Sequence, residues 1–130
     1  MDNRKLGRLF WCAAWVAVGL LALVTLVPAQ ERPQSGLSSG LEHLAAYAVT
    51  AAAFSFASAT QRWKILLVLS LYAGILEFLQ HYAPGRHARF GDFLMSCAGV
   101  FVGVSGAWLL ARLEPLRRLF DRGGASIGTE

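Results

Sequence analysis

Long apolar stretches alternate along this chain with short polar ones. Residues 9–27 contain no charge and end at Pro28, while 41–59 carry Glu42 near their start and then run apolar. Residues 63–82 begin beside Lys64 and stay mostly apolar up to Glu77, and 93–111 are uncharged between Asp92 and Arg112. A membrane helix needs about 20 mostly apolar residues, each adding about 1.5 Å, to cross about 30 Å of hydrocarbon. The pattern therefore predicts an all-α integral membrane protein, a four-helix bundle of antiparallel neighbours with short loops. Residues 1–111 form this domain, and 112–130 read as a basic tail, partly disordered: a short surface helix around Leu116, Leu119 and Phe120, then a Gly-Ser end.

Composition agrees with lipid as the solvent. Of 130 residues 55% are hydrophobic and only 15% charged, with a mean hydropathy of +0.47. A soluble domain spends about a quarter of its residues on charge. The net charge of +4 would suggest nucleic acid in a soluble protein, but the basic residues fall between apolar runs, so no nucleic-acid partner is expected. Arg4, Lys5, Arg8, Arg62, Lys64, Arg112, Arg117, Arg118 and Arg122 lie on one side of the predicted membrane and Arg32, Arg86 and Arg89 on the other. That asymmetry places both termini in the cytoplasm. A rival reading takes the first span as a signal peptide cleaved after Val27-Pro28-Ala29, although its apolar run exceeds the usual h-region. Cys12 and Cys97 sit in separate apolar runs without a CxxC or neighbouring His ligands, which predicts free buried thiols, no metal site and no cofactor.

With this orientation the unusual polar residues converge on the outer leaflet. Glu42, His43 and Tyr47 begin the second helix, Glu77 and Gln80 end the third, Asp92 and Ser96 begin the fourth, and Arg86, His87 and Arg89 lie in the last loop. Residues three or four apart share a helix face. His43, Tyr47 and Thr50 form one such stripe; Ser70, Gly74, Glu77 and Gln80 or His81 a second; Asp92, Ser96, Gly99, Gly103 and Gly106 a third. The Gly99-x-x-x-Gly103 pair is the small-residue pattern for close helix approach. A carboxylate within the bilayer costs about 2.5–3.5 kcal/mol at the centre and less near the interface, so Glu77 needs a partner or a wet cavity. Arg86 is the expected partner, with Arg89 and Asp92 as a second pair. Plainer roles exist for each residue: Asp92 as an N-cap, His43 as a hydrogen-bonded interface side chain, and Trp11, Trp15, Trp63, Trp108 and Tyr82 as membrane anchors.

The run Glu77-x-x-Gln80, Pro84-Gly85-Arg86, Gly91-Asp92 and Gly99-x-x-x-Gly103, preceded by His43-x-x-x-Tyr47, resembles the VanZ-like family of small bacterial membrane proteins. The resemblance covers Leu41 to about Gly106. It implies four membrane helices in the bacterial cytoplasmic membrane and an effect on glycopeptide susceptibility, and it sets the family's His, Tyr, Glu, Gln, Arg and Asp on His43, Tyr47, Glu77, Gln80, Arg86 and Asp92, which with Ser96 make the candidate ligand-binding set. Two positions depart from the family pattern. Ser39-Gly40 stands where many members have Asp-Lys, and Ser96 where they have Asn.

Three functions compete on these residues. The first is an outward-facing pocket that binds a cell-envelope component, a lipid-linked precursor or a wall stem peptide, with arginines holding an anionic group. The second is an intramembrane enzyme on a lipid-linked substrate, with Glu77 or His43 as acid or base and Asp92 as a further candidate. The third is a structural or accessory subunit working through membrane-protein partners. An ion-conducting role is weaker, because the polar residues stop at the outer half.

Overall fold

The structure, a computed structural model, describes residues 3–27, 36–82 and 89–124, with side chains over 5–27, 36–82 and 89–113. All regular structure in the described residues is helical: α1 Asn3–Leu26, α2 Ser39–Ala57, α3 Arg62–Leu79 and α4 Phe90–Gly124, with short 3-10 turns at Ala59–Gln61 and Gln80–Tyr82. The expected all-α bundle is present. The helices outrun the apolar stretches, because charge ends an apolar run without ending a helix. α1 starts six residues earlier, through Arg4, Lys5 and Arg8. α2 begins where Ser38 caps it, its side chain accepting from the Leu41 N–H, and ends where the Ser58 N–H bonds Phe54 O at 2.9 Å.

The separate tail helix is corrected. α4 continues without a break past Pro115 to Gly124, so the stretch expected as a surface helix is its last turns. Leu, Arg and Glu around the proline are strong helix formers and favour continuation. The expected Gly-Ser end falls partly on 125–130, outside the described residues.

Among the described residues three segments are long and apolar enough to cross a membrane: Lys5–Leu26, Ala59–Tyr82 and Phe90–Leu113. They make this a multi-pass membrane protein. α2, expected as the fourth span, is not among them, since its 19 residues include Glu42, His43 and Tyr47. Its place in the fold explains that polarity. α2 is the central helix, packed most extensively on α4 and flanked by α1, while α3 covers the other side of α4. The faces that α1, α3 and α4 turn outward carry the large apolar residues, among them Leu20, Leu23, Leu67, Leu71, Phe78 and Phe101. Those faces are lipid-facing in a membrane protein.

α2 and α4 run parallel and touch backbone to backbone. A Cβ added at Gly99 would collide with the Leu44 carbonyl, and one at Gly103 with the Ala48 carbonyl. The expected small-residue contact is therefore real at both positions. It does not extend to Gly106, around which nothing lies within 4 Å. Tyr47, Ala51, Phe54, Leu69, Val100 and Val104 form the core between the helices. Cys12 and Cys97 are free, but neither is fully buried as expected: Cys12 is exposed on α1 and Cys97 is half-buried on α4.

α1 and α3 are tied by one bond across the bundle, from Tyr72 Oη to the Val18 carbonyl at 2.8 Å. A hydrogen bond of this kind contributes about 1 kcal/mol net. Tyr72→Phe is expected to lower the thermal unfolding midpoint by a few degrees, measured in detergent by circular dichroism. An unchanged midpoint would show that the tie contributes nothing.

A polar cluster at one end of the bundle

The start of α2, the end of α3 and the start of α4 meet at one end, and each supplies polar side chains there. The meeting follows from topology: in an up-down-up-down bundle these three termini share an end. His43 and Tyr47 are one turn apart on the buried face of α2, and Glu77 and Gln80 are one turn apart at the end of α3. Ser96 lies one turn into α4 beyond Asp92. Glu77 is 8% exposed, Gln80 3%, Tyr47 2% and Ser96 2%, so the cluster is interior to the bundle and does not form a solvated rim.

Among the described residues the cluster is joined by hydrogen bonds. Glu77 Oε1 accepts the backbone N–H of Arg89, which fastens the end of α3 to the start of α4. Arg89 thus reaches Glu77 through its main chain. Asp92 is held from α2, its Oδ2 accepting from Ser39 Oγ at 2.9 Å. Asp92 is not the N-cap. It is the third residue of α4, where the Asp92 and Phe93 N–H groups both turn back to Arg89 O and a negative charge favours the helix dipole. Arg86, the expected partner of Glu77, lies outside the described residues, as does His87.

A relay links the two central helices. Ser96 Oγ donates to the Asp92 carbonyl at 2.9 Å, one turn back on its own helix, and lies 3.3 Å from His43 Nδ1. The serine has a single proton, already given to Asp92 O, so the His43 contact requires the imidazole to donate from Nδ1. Tyr47 has Tyr72, Glu77 and Cys97 as its titratable neighbours. The amide Nε2 of Gln80 is buried and finds no hydrogen-bond partner among the described residues. A buried unpaired donor costs about 1–3 kcal/mol, which an arriving acceptor would recover.

The structure thus gathers His43, Tyr47, Glu77, Gln80, Asp92 and Ser96 at one end. It adds Ser39, which the sequence reading passed over except as a departure from a family pattern. The signal was available: Ser39 is four residues before His43, on the same helical face. Gly40 has a matching reason, since a Cβ there would stand 3.1 Å from Met95 Cγ and 3.7 Å from Asp92 Oδ1. Among the described residues no group of three or more His, Cys, Asp or Glu is placed to hold a metal ion. Chemically the cluster offers an amide donor, an imidazole, a phenol and two carboxylates already engaged by hydrogen bonds.

The chain has a partial likeness to known transport proteins. It is 38% identical over 63 residues to the phosphate transport system permease protein PstC 2 of Mycobacterium bovis, and equally to the protein of that name in Mycobacterium tuberculosis. The aligned stretch is 45% of this chain but 19% of each permease, so the chain spans about a fifth of the relatives it matches. No family model and no solved structure matches it. The likeness agrees with a membrane protein.

Proposed function

We propose that this chain is a VanZ-like protein of the bacterial cytoplasmic membrane whose polar cluster binds a cell-envelope component, the polar part of a lipid-linked precursor or wall peptide. The observation that supports this reading is the buried amide of Gln80, which finds no partner among the described residues, one turn from a Glu77 whose carboxylate is already engaged. A packing network built only for stability satisfies its members. An orphan donor within it instead suits a phosphate or carbonyl oxygen supplied by a ligand, with Arg86 from the adjoining loop as the cation that accompanies it. The motif order from His43 to Gly103 supports the family, and an effect on glycopeptide susceptibility would follow from holding such a ligand. The basic residues at the opposite end put both termini in the cytoplasm and the cluster on the outer side.

Native mass spectrometry of the gently purified protein tests the reading. The wild type is expected to retain an envelope lipid or precursor that Gln80→Leu, folded by circular dichroism, loses. Equal adducts on both proteins would move the cluster to a purely structural role. A second reading, a subunit of a larger membrane assembly, draws on the permease likeness and predicts co-purifying membrane proteins that survive Gln80→Leu.

A further inference from the structure

The opposite end of the bundle holds a cavity of about 380 Å³ between α1, α2 and α3. It exists because α1 and α3 touch little. They are joined where Tyr72 bonds Val18, and the groove opens from that tie toward the end where α1 begins and α2 turns into α3. Its depth is apolar. Trp11 and Trp15 both set their rings edge-on to Phe54, at 5.5 and 5.6 Å between centroids, and Ile65, Val68 and Leu69 form the α3 wall. Its mouth is polar, lined by Ser58, Gln61 and Lys64. Lys64 to Tyr72 spans eight residues of α3, a groove about 12 Å long.

The charges at the mouth identify the occupant. Lys64 lies 5.6 Å from the ring centroid of Trp63, and Arg62, at the same end of α3, has a buried Nε without a hydrogen-bond partner among the described residues. Lys5 and Arg8 stand at the same end of α1. The carboxylates with described side chains, Glu42, Glu77 and Asp92, all belong to the other end. A transmembrane helix from a partner would bring apolar side chains to the groove and leave these cations without a counter-charge. An anionic phospholipid satisfies both halves, its acyl chain on the aromatic and aliphatic walls and its phosphate against lysine and the mouth amides.

We infer that the groove between α1, α2 and α3 is a binding site for an anionic phospholipid, with the acyl chain against Trp11, Trp15, Phe54 and Val68 and the headgroup on Lys64. This site is independent of the polar cluster and of the function proposed for it.

Tryptophan quenching by brominated lipids reads the groove directly. In a Trp63→Phe/Trp108→Phe background the emission comes from Trp11 and Trp15 alone. The full chain is reconstituted in phosphatidylcholine vesicles containing a minor fraction of either dibrominated phosphatidylglycerol or dibrominated phosphatidylcholine. The anionic lipid is expected to occupy the site about fivefold more strongly, the ~1 kcal/mol that one lysine contributes against an anionic lipid. Lys64→Gln should abolish the preference and Lys64→Arg should keep it. Val68→Phe, which narrows the groove and leaves Lys64 intact, should weaken quenching by phosphatidylglycerol. Equal quenching by the two lipids in the parent protein would overturn the proposal, because bulk lipid then fills the groove. Weak quenching by both would also overturn it, showing a protein surface seated there.

Discussion

Gly103→Ala is expected to lower the thermal unfolding midpoint by about 4–12 °C, and Gly99→Ala by a similar amount, while Gly106→Ala leaves it unchanged or raises it. The three substitutions are chemically identical and sit on one helix within eight positions. What separates them is the partner. At Gly99 and Gly103 the new methyl would meet the carbonyls of Leu44 and Ala48, which are backbone and cannot rotate aside. α2 and α4 must then move apart, and overpacking of this kind costs about 1–3 kcal/mol or more. For a chain of this size each kcal/mol shifts the midpoint by about 4 °C. At Gly106 nothing lies within 4 Å, so the methyl finds space and alanine contributes its higher helix propensity, up to about 1 kcal/mol. Melting curves in one detergent decide the matter. Similar midpoints for Gly103→Ala and Gly106→Ala would mean that α2 and α4 do not pack through their backbones.

The second large effect is at Glu77. Glu77→Ala is expected both to destabilise the bundle and to remove ligand retention, whereas Glu77→Gln keeps the fold and loses only the ligand. Two opposing magnitudes decide the sign of the first. A buried carboxylate costs up to about 3.5 kcal/mol at the bilayer centre, but Glu77 lies one turn from the end of its span, where the cost is much smaller. The hydrogen bond it accepts from the Arg89 N–H, charged on the acceptor side, contributes about 1.5–3 kcal/mol. The bond wins, and alanine loses it. Glutamine retains a carbonyl oxygen for the same N–H and gives up only the charge. Thermal unfolding and native mass spectrometry on the two variants separate these terms. If Glu77→Gln unfolds as readily as Glu77→Ala, the charge itself holds α3 to α4.

The relation of the two ends bears on how such a chain works. At one end polar side chains from α2, α3 and α4 lie inside the bundle. At the other an aromatic-lined groove opens among α1, α2 and α3. α2 contributes to both, with His43 and Tyr47 near its start and Phe54 near its end. Its near-parallel contact with α4 along Gly99 and Gly103 packs those two helices closely together, while α1 and α3 touch each other little. Restraint of that pair by the Tyr72 bond is why its loss is expected to be felt despite its small size.

What could be read from the residues alone was the part governed by period and composition. Four helices, their order and the grouping of His43, Tyr47, Glu77, Gln80, Asp92 and Ser96 at one end all follow from helical spacing and from the alternation of direction between short connections. The same spacing read α2 as a fourth membrane span, a reading that its packing against α4 and α1 replaces. The close approach at Gly99 and Gly103 was legible too, because glycine four residues apart in an apolar helix has few other uses. Tertiary structure alone decided which partner each polar group takes. Glu77 takes the main-chain N–H of Arg89, Asp92 is held by Ser39 across fifty-three positions, and Gly106 of the same stripe faces open space. Spacing along a helix specifies a face, but a hydrogen bond depends on the rotation and offset of two helices to within about an ångström. That offset is set by where backbones can touch, and for this protein it is set at the glycines of α4.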